Sequence, residues 1–321
     1  MASDDLEFRM ARRADMPSLL AFIQQLYPAL GWTAEFMQWQ YFDNPAGDAK
    51  VWICFDAERA VGSVTALPHA IWADDQLSTG YRVQDVLTDP DYRGRSIYRK
   101  LSEACYAFLD SDDKAVHFTF PNEHSDRVFR TSGWTPVGDI PLWSATPSHQ
   151  SKDNGLPDGC RPLAVFSAAE EDIWASWRRA GTLGIDKNID YLNWKYFGNP
   201  RADYQCFRMD HAQSNMVLVL KKFRLESGQT LFHLCDLFYS QFCETVLDDV
   251  FSFIENKAAQ ENASTITAWL APRDELSASA SAAGFSYSPV TSRSYFLRST
   301  NTNAHEYFAK WNIRMGDSDV Y

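Results

Sequence analysis

Val83-Gln84-Asp85-Val86-Leu87-Thr88-Asp89-Pro90-Asp91-Tyr92-Arg93-Gly94-Arg95-Ser96-Ile97-Tyr98-Arg99-Lys100-Leu101 is the stretch that decides the fold. Tyr81 to Thr88 is rich in β-formers and predicts a strand, which Asp89-Pro90 ends because proline has no N–H to give a ladder. From Ser96 to Asp110, Ile97, Leu101, Ala104, Cys105 and Phe108 recur at helical spacing, so a helix follows almost at once. The loop between them carries two arginines, Arg93 and Arg95, and two small residues, Gly94 and Ser96. Backbone N–H groups of such a loop, with the positive end of the helix dipole, form an anion site. The small residues let a phosphate reach the main chain, and a pyrophosphate is the natural guest. An isolated Arg-Gly-Arg is equally at home in a solvated turn, so the reading depends on what surrounds it.

Around the loop, the first half reads as helix, strands, helix, strand, helix. Met16 to Leu30 has Leu19, Leu20, Phe22, Ile23 and Leu26 at helical spacing behind Asp15, an expected cap. Lys50 to Phe55 and Val61 to Trp72 predict two strands joined by a turn at Asp56 to Arg59. Val116 to Phe120 predicts another strand and Ser125 to Thr131 a short helix. This order fits an α/β fold with a mixed sheet between helices.

The chain also repeats itself. Trp39-Gln40-Tyr41-Phe42-Asp43-Asn44-Pro45 returns as Trp194-Lys195-Tyr196-Phe197-Gly198-Asn199-Pro200, five of the seven residues being identical at an offset of 155. Asp85 and Asp236, Pro121 and Pro272, and Gly133-Trp134 and Gly284-Phe285 share an offset of 151. A small net deletion reconciles the two offsets, and loops tolerate one easily. A duplicated domain follows, with expected boundaries of 1–148 and 160–299, a Pro-, Gly- and Ser-rich linker at 149–159, and a C-terminal tail at 300–321 that packs back or frays.

Pro90, Arg93 and Leu101, set on a strand, loop and helix, resemble the GNAT superfamily of N-acetyltransferases. Its signature loop holds the pyrophosphate of acetyl-CoA. Ser96 and Tyr98 stand where the superfamily has glycines. The resemblance continues through Val116-His117-Phe118-Thr119-Phe120-Pro121-Asn122-Glu123-His124-Ser125 to Gly133-Trp134, and covers about residues 5–148. It implies two tandem GNAT-like domains, each a twisted mixed sheet flanked by helices, the first binding acetyl-CoA. It also implies that strands 81–88 and 116–120 splay apart around the pantetheine arm. The expected cofactor contacts are Val86, Leu87, Thr88, Arg93, Gly94, Arg95, Ser96, Ile97, Tyr98, Asn122 and Ser125. Backbone N–H groups at Val86 to Thr88 would stabilise the oxyanion.

The attacking amine must be neutral, so a base or a water chain is required. His117 is the first candidate: by the resemblance it falls where ribosomal-protein acetyltransferases carry a glutamate, and its counterpart in the second copy is Ala268. Asp85 is a second, weakened because Asp236 repeats it in a copy without the loop; His69 is a third, and His124 a lesser one. The superfamily's general-acid tyrosine is replaced by Phe129, leaving Tyr98 or unassisted departure of the thiolate. In the second copy the loop reads Tyr239-Ser240-Gln241-Phe242-Cys243-Glu244, without glycine or arginine, and Arg273 replaces Asn122. That copy is expected to have lost acetyl-CoA and to complete the acceptor pocket.

Composition bounds the rest. Thirty basic against 42 acidic residues give a net charge of −12, which speaks against a nucleic-acid partner. No apolar run is long enough to span a bilayer, and residues 1–15 carry no apolar signal core, so a cytoplasmic protein is expected. The six scattered cysteines read as reduced thiols, and no metal site is expected. The expected function is acetylation of a primary amine of a small molecule, with a nucleotide-linked amino sugar of surface polysaccharide as the first acceptor by resemblance. Transfer from another acyl or aminoacyl donor, and a non-catalytic acyl-CoA sensor, are the alternatives. Oligomeric state is left open.

Overall fold

Alternation along Lys50–Asp56 (β2) sends Val51, Ile53 and Phe55 to one face and Trp52 and Cys54 to the other. Val51, Ile53 and Phe55 pack with Leu19, Phe22 and Ile23 of Met16–Leu26 (α1). Trp52 and Cys54 pack with Ile97, Leu101 and Cys105 of Ile97–Leu109 (α3). A strand buried on both sides implies a sheet between two helical layers. The computed structural model describes residues 5–73, 75–148, 156–178, 183–271, 274–300, 311 and 313–318, without the side chains of residues 124 and 288–291. Linker residues 149–155, tail residues 301–310, 312 and 319–321, and the pair Pro272 and Arg273 lie outside the description.

The first copy runs β1 (Leu6–Met10), α1, α2 (Ala34–Tyr41), β2, β3 (Arg59–Ala73), β4 (Gln76–Thr88), α3, β5 (His117–Thr119), α4 (Glu123–Arg130) and β6 (Thr135–Ala145). The second repeats the order: β7 (Cys160–Pro162), α5 (Ala168–Trp177), α6 (Ile189–Leu192) continued by a π-turn (Asn193–Phe197), β9 (Tyr204–His211), β10 (Ser214–Arg224), β11 (Thr230–Tyr239), α7 (Glu244–Gln260), β12 (Thr265–Trp269), α8 (Ser277–Ala282) and β13 (Ser286–Arg298). A two-residue strand, β8 (Gly184–Ile185), adds to β3. The helix expected over 16–30 stops at Leu26, just before Pro28, and Asp15 does not cap it. The Asp15 carboxylate instead accepts from the Arg9 guanidinium at 2.6 and 2.8 Å and from the Arg12 N–H at 2.6 Å.

The described strands form one sheet in the order β1-β2-β3-β4-β5-β13-β6-β12-β11-β10-β9-β7. Read in terms of the repeat, this order is a palindrome. Each copy's last strand has crossed into the other copy: β13 pairs with β5, and β6 with β12. At the centre β6 and β13 run antiparallel, and Pro141 faces Ser292, its own counterpart at the 151-residue offset. A pseudo-twofold axis passes through this pair. The same axis relates the repeated Trp-x-Tyr-Phe motifs. Trp39 and Trp194 stack with centroids 4.9 Å apart and planes 18° apart. The Trp39 indole N–H donates to the Trp194 carbonyl at 2.8 Å, and the Trp194 indole returns a bond to the Trp39 carbonyl at 2.9 Å. Such reciprocity is the hallmark of an isologous interface, here formed within one chain.

The described end of the tail packs back. Trp311 lies against Phe118 and Tyr295, and Arg314 pairs with buried Asp274. Met315–Asp317 sits on β11, where any side chain at position 316 would run into the Tyr196 hydroxyl and the Asp236 carboxylate.

Removing either stacked ring deletes a buried indole, so Trp39→Ala and Trp194→Ala are each expected to lower stability by about 3–5 kcal/mol in urea unfolding. Because both rings share one contact, the double variant should lose clearly less than the sum. Strand exchange further implies that a chain cut at a protease site placed within 149–155 elutes as one particle in size exclusion. Separation of the halves without denaturant would contradict it.

Candidate active site

β4 and β5 run parallel but share only the Arg82–Phe118 register pair. The last tie is the Thr119 hydroxyl, which donates to the Val83 carbonyl at 2.9 Å. β4 then continues to Thr88, whereas β5 ends before Pro121 and the turn into α4, so the strands diverge. Opposite the gap, β4 bulges. Thr65 pairs with Gln84 and Ser63 with Leu87, leaving Asp85 and Val86 against the single Val64. Asp85 sits at φ 49°, left-handed backbone that a non-glycine residue adopts only under constraint. The Ser63 hydroxyl holds its carbonyl at 3.1 Å, and its carboxylate accepts from the Tyr41 hydroxyl at 2.8 Å and the Gln84 amide at 2.9 Å.

Beyond Thr88 the loop is braced from below. Buried Asp89 accepts from the Asp91 N–H at 2.9 Å and pairs with Arg59, while the Tyr92 hydroxyl donates to Asp56. The brace leaves Arg93, Gly94, Arg95 and Ser96 exposed at the N-terminus of α3. The Arg95 guanidinium lies 5.1 Å from the Tyr92 ring centre. Gly94 and Ser96 are both left-handed, at φ 81° and 60°. That conformation explains why glycine suits the Ser96 position, since a Cβ costs about 1–2 kcal/mol there. Ile97 is buried under the loop, and Val86, Leu87 and Thr88 are half-buried along the gap. Across the gap the Asn122 side chain accepts from the Ser125 N–H at 3.0 Å, so these two residues together cap α4. The Tyr98 hydroxyl lies 3.1 Å from that of Tyr106 and 3.2 Å from that of Ser132, on the helical side of the sheet.

The structure separates the three base candidates. His117 is buried, its Nδ1 accepting from the Tyr81 N–H at 3.2 Å and its Nε2 lying 3.0 Å from the Leu109 carbonyl, to which it donates. Burial pushes its pKa down to about 4. With both nitrogens committed to main chain, His117 fastens β4 to the end of α3. The second copy has Ala268 at this position. His69 and Asp85, by contrast, line a cavity of about 500 Å³ between the two copies. His69 is only 1% exposed, and neither ring nitrogen has a partner among the described residues. Burial first, then the charges of Arg82 and Lys195, hold its pKa well below the ordinary imidazole value. Gln40, 4% exposed, brings a third unpartnered polar atom, Oε1, to the same wall. The His124 side chain is outside the description.

Tyr191, Lys195, Arg201, Tyr204 and Lys221 of the second copy line the opposite wall. Sequence reasoning missed all five. The repeat holds a usable signal for one of them: Gln40 and Lys195 are the same motif position, differ between copies, and both line the cavity. Asp236 itself has a different fate from Asp85. It is buried, bonded by Tyr196 and Lys187, and covered by the tail.

Residues 7–137 match the acetyltransferase (GNAT) domain family. The first half of the chain is a GNAT domain. Among solved structures, a GCN5-related N-acetyltransferase from Anabaena variabilis is 15% identical, with a TM-score of 0.68 over 92% of this chain and 73% of that one. A conserved protein from Enterococcus faecalis, described as a probable N-acyltransferase, is 12% identical, with a TM-score of 0.68 over the same shares. N-myristoyltransferase from Saccharomyces cerevisiae with bound myristoyl-CoA is 11% identical, with a TM-score of 0.57 over 92% of this chain and 85% of that one. At these identities the likeness is one of fold, and it extends the GNAT architecture over both copies. Among curated proteins none matches the chain. A GNAT domain is an acyltransferase unit that takes its acyl group from a CoA thioester. Among the described residues no helix is long and apolar enough to cross a membrane.

His117 has a consequence for stability. A free histidine titrates near 6.5 and this one near 4, so protonation favours the unfolded chain. Its contribution is complete above pH 6.5 and drains away as pH falls toward 4, by about 3 kcal/mol in all. His233, also held near 4 by burial, adds in the same window. Urea midpoints should therefore fall between pH 6.5 and 4.5, with a shallower slope in His117→Gln. An unchanged slope in that variant would remove His117 from the account.

Proposed function

We propose that the chain transfers an acetyl group from acetyl-CoA to a primary amine of a small molecule at one active site, in the first copy. The observation that carries this reading is the meeting of the β4 bulge with the cavity between copies, whose lining includes the Asp85 carboxylate at the bulge and, further along β3 opposite Gly80, the neutral imidazole of His69. Arg93, Arg95 and the backbone of Gly94 to Tyr98 would hold the pyrophosphate at the start of α3. The gap between β4 and β5 would take the pantetheine arm, past Asn122 and Ser125. Main-chain N–H groups at Val86 to Thr88 would face the thioester oxygen and stabilise its developing charge.

In the cavity Asp85 attracts the ammonium form of the acceptor, and His69 takes its proton. His69 passes this proton to solvent, the neutral amine nitrogen attacks the thioester carbon, the C–S bond breaks and CoA leaves as thiolate, and the second N–H proton of the adduct is taken by His69 in turn and passed to solvent, leaving a neutral amide. Unassisted departure suits the site, since Phe129 is a buried core residue packed on Trp134 and Tyr98 is tied to Tyr106 and Ser132. The second copy contributes walls, not a second reaction centre, because its loop is acidic at Glu244 and its Asp236 is covered by the tail. Aromatic lining from Trp32, Trp39, Tyr191 and Tyr204 supports a ring-bearing acceptor, and a nucleotide-linked amino sugar is the first to try.

Thiol release with acetyl-CoA and a panel of amines tests the reading. Tight CoA binding without turnover on any amine would sink it and leave an acyl-CoA sensor. Asp85→Asn and His69→Gln should each lower kcat/KM by about 100-fold or more, whereas Arg95→Ala should raise KM for acetyl-CoA alone. Because His69 stays neutral well below pH 6.5, its acid limb in kcat/KM should fall below that value and vanish in His69→Gln.

A further inference from the structure

We infer that the acceptor carries an oxyanion, a phosphate or carboxylate, seated between Arg201 and Lys221 at the mouth of the cavity while its amine lies at Asp85. The inference rests on reading that cavity as the acceptor pocket, and it deepens that reading by naming a substrate class.

The repeat supplies an internal control. In the first copy the Asn44 side chain accepts from the Ala46 N–H at 2.9 Å, and in the second Asn199 accepts from the Arg201 N–H at 3.0 Å. The same turn therefore forms with alanine at this position, and the guanidinium of Arg201 is not needed to fold it. That guanidinium reaches across the interface to lie 4.1 Å from the Phe36 ring centre, on the first copy's wall of the cavity. Lys221 reaches the same space from β10, with its ammonium 5.5 Å from the Tyr204 ring centre. Among the described residues neither cation has an ion-pair partner, although the neighbouring Lys222 is paired with Glu261 at 2.9 Å. In a chain with 42 acidic residues, an unpaired couple of cations facing one cavity is not explained by a shortage of carboxylates. Burial lowers the Lys221 pKa most; Cys235 opposes this, and the charge of Arg201 lowers it further.

Cations outnumber carboxylates around the cavity. Asp85 lies at the bulge and Asp203 beside Arg201, while Arg82, Lys195, Arg201, Lys221, Lys222 and Arg224 line the rest, with unpartnered His69 and Gln40 on the first copy's wall. A molecule with an amine at one end and an oxyanion at the other complements this lining, and about 500 Å³ suits a molecule of sugar-phosphate size. A neutral or dicationic amine would leave the two cations uncompensated.

The test is binding to the full chain saturated with CoA, so that the pyrophosphate loop is occupied. Glucosamine 6-phosphate, 2-amino-2-deoxyglucuronic acid and glucosamine are titrated by calorimetry, and inorganic phosphate is scored by its effect on Tm. At least one anionic amine should bind tenfold or more tightly than glucosamine, and phosphate should raise Tm. In Arg201→Gln/Lys221→Gln the preference and the phosphate effect should both disappear, while glucosamine and CoA bind as before. Circular dichroism and the CoA titration check that this variant is folded. The two anionic amines separate the phosphate from the carboxylate form. Equal binding of neutral and anionic amines, a preference that survives the double substitution, or no response to any anion would each overturn the inference. These readouts do not involve turnover. Anion selectivity without catalysis would sink the transferase reading alone, and turnover of anionic amines no better than of neutral ones and unchanged by the double substitution would sink this inference alone.

Discussion

The stack of Trp39 on Trp194, with its two reciprocal indole bonds, is the constraint around which the molecule is arranged. It joins the same motif to its own copy, and a contact of that kind exists only across a twofold axis. The axis in turn dictates the sheet. If one copy sends its last strand across, symmetry requires the other to do the same, and the β6–β13 pair at the centre is where the two exchanges meet. The cavity between copies is a consequence: α2 and the π-turn after α6, which carry the tryptophans, also form part of its walls.

Symmetry also makes the differences between copies informative. Both keep a tyrosine bonded to an aspartate on a bulged strand, Tyr41 with Asp85 and Tyr196 with Asp236. In the second copy Lys187 neutralises the aspartate and residues 315–317 cover it. Trp32, the residue corresponding to Lys187, brings no cation, and Asp85 remains on a cavity wall. The same pairing is a buried ion pair on one side and, on the other, a half-buried carboxylate held by Tyr41 and Gln84 on a cavity wall. Burying such a pair is tolerated when each charge is hydrogen-bonded, as Asp236 is by both Tyr196 and Lys187.

The aspartate shared by both copies shows how one position can take two roles. Persistence in the copy without a cofactor loop argued for a structural role, and absence from it argued for His117. Both inferences treat a position as having one role, but a role depends on what lies against the side chain. His117 sits where α3 ends against β4, bonded to the Leu109 carbonyl and the Tyr81 N–H, whereas Ala268 stands at that position in the second copy.

What the sequence by itself determined is local and periodic. The strand, basic loop and helix at 83–101 follow from β-propensity, a proline stop and helical spacing. The duplication follows from two matched offsets. Strand alternation, buried on both faces in β2, follows from a period of two. Each depends on contacts within a few residues or on comparison of the chain with itself. Only the tertiary structure decided the strand exchange, the tail over β11, the engagement of His117 and the gathering of Gln40, His69, Asp85, Arg201 and Lys221 around one cavity. Nothing local distinguishes a terminal strand that pairs at home from one that crosses, because the hydrogen bonds and the buried face are the same in either place. The cavity is decided later still, since its two walls come from segments more than 100 residues apart that meet only when the pseudo-twofold axis closes.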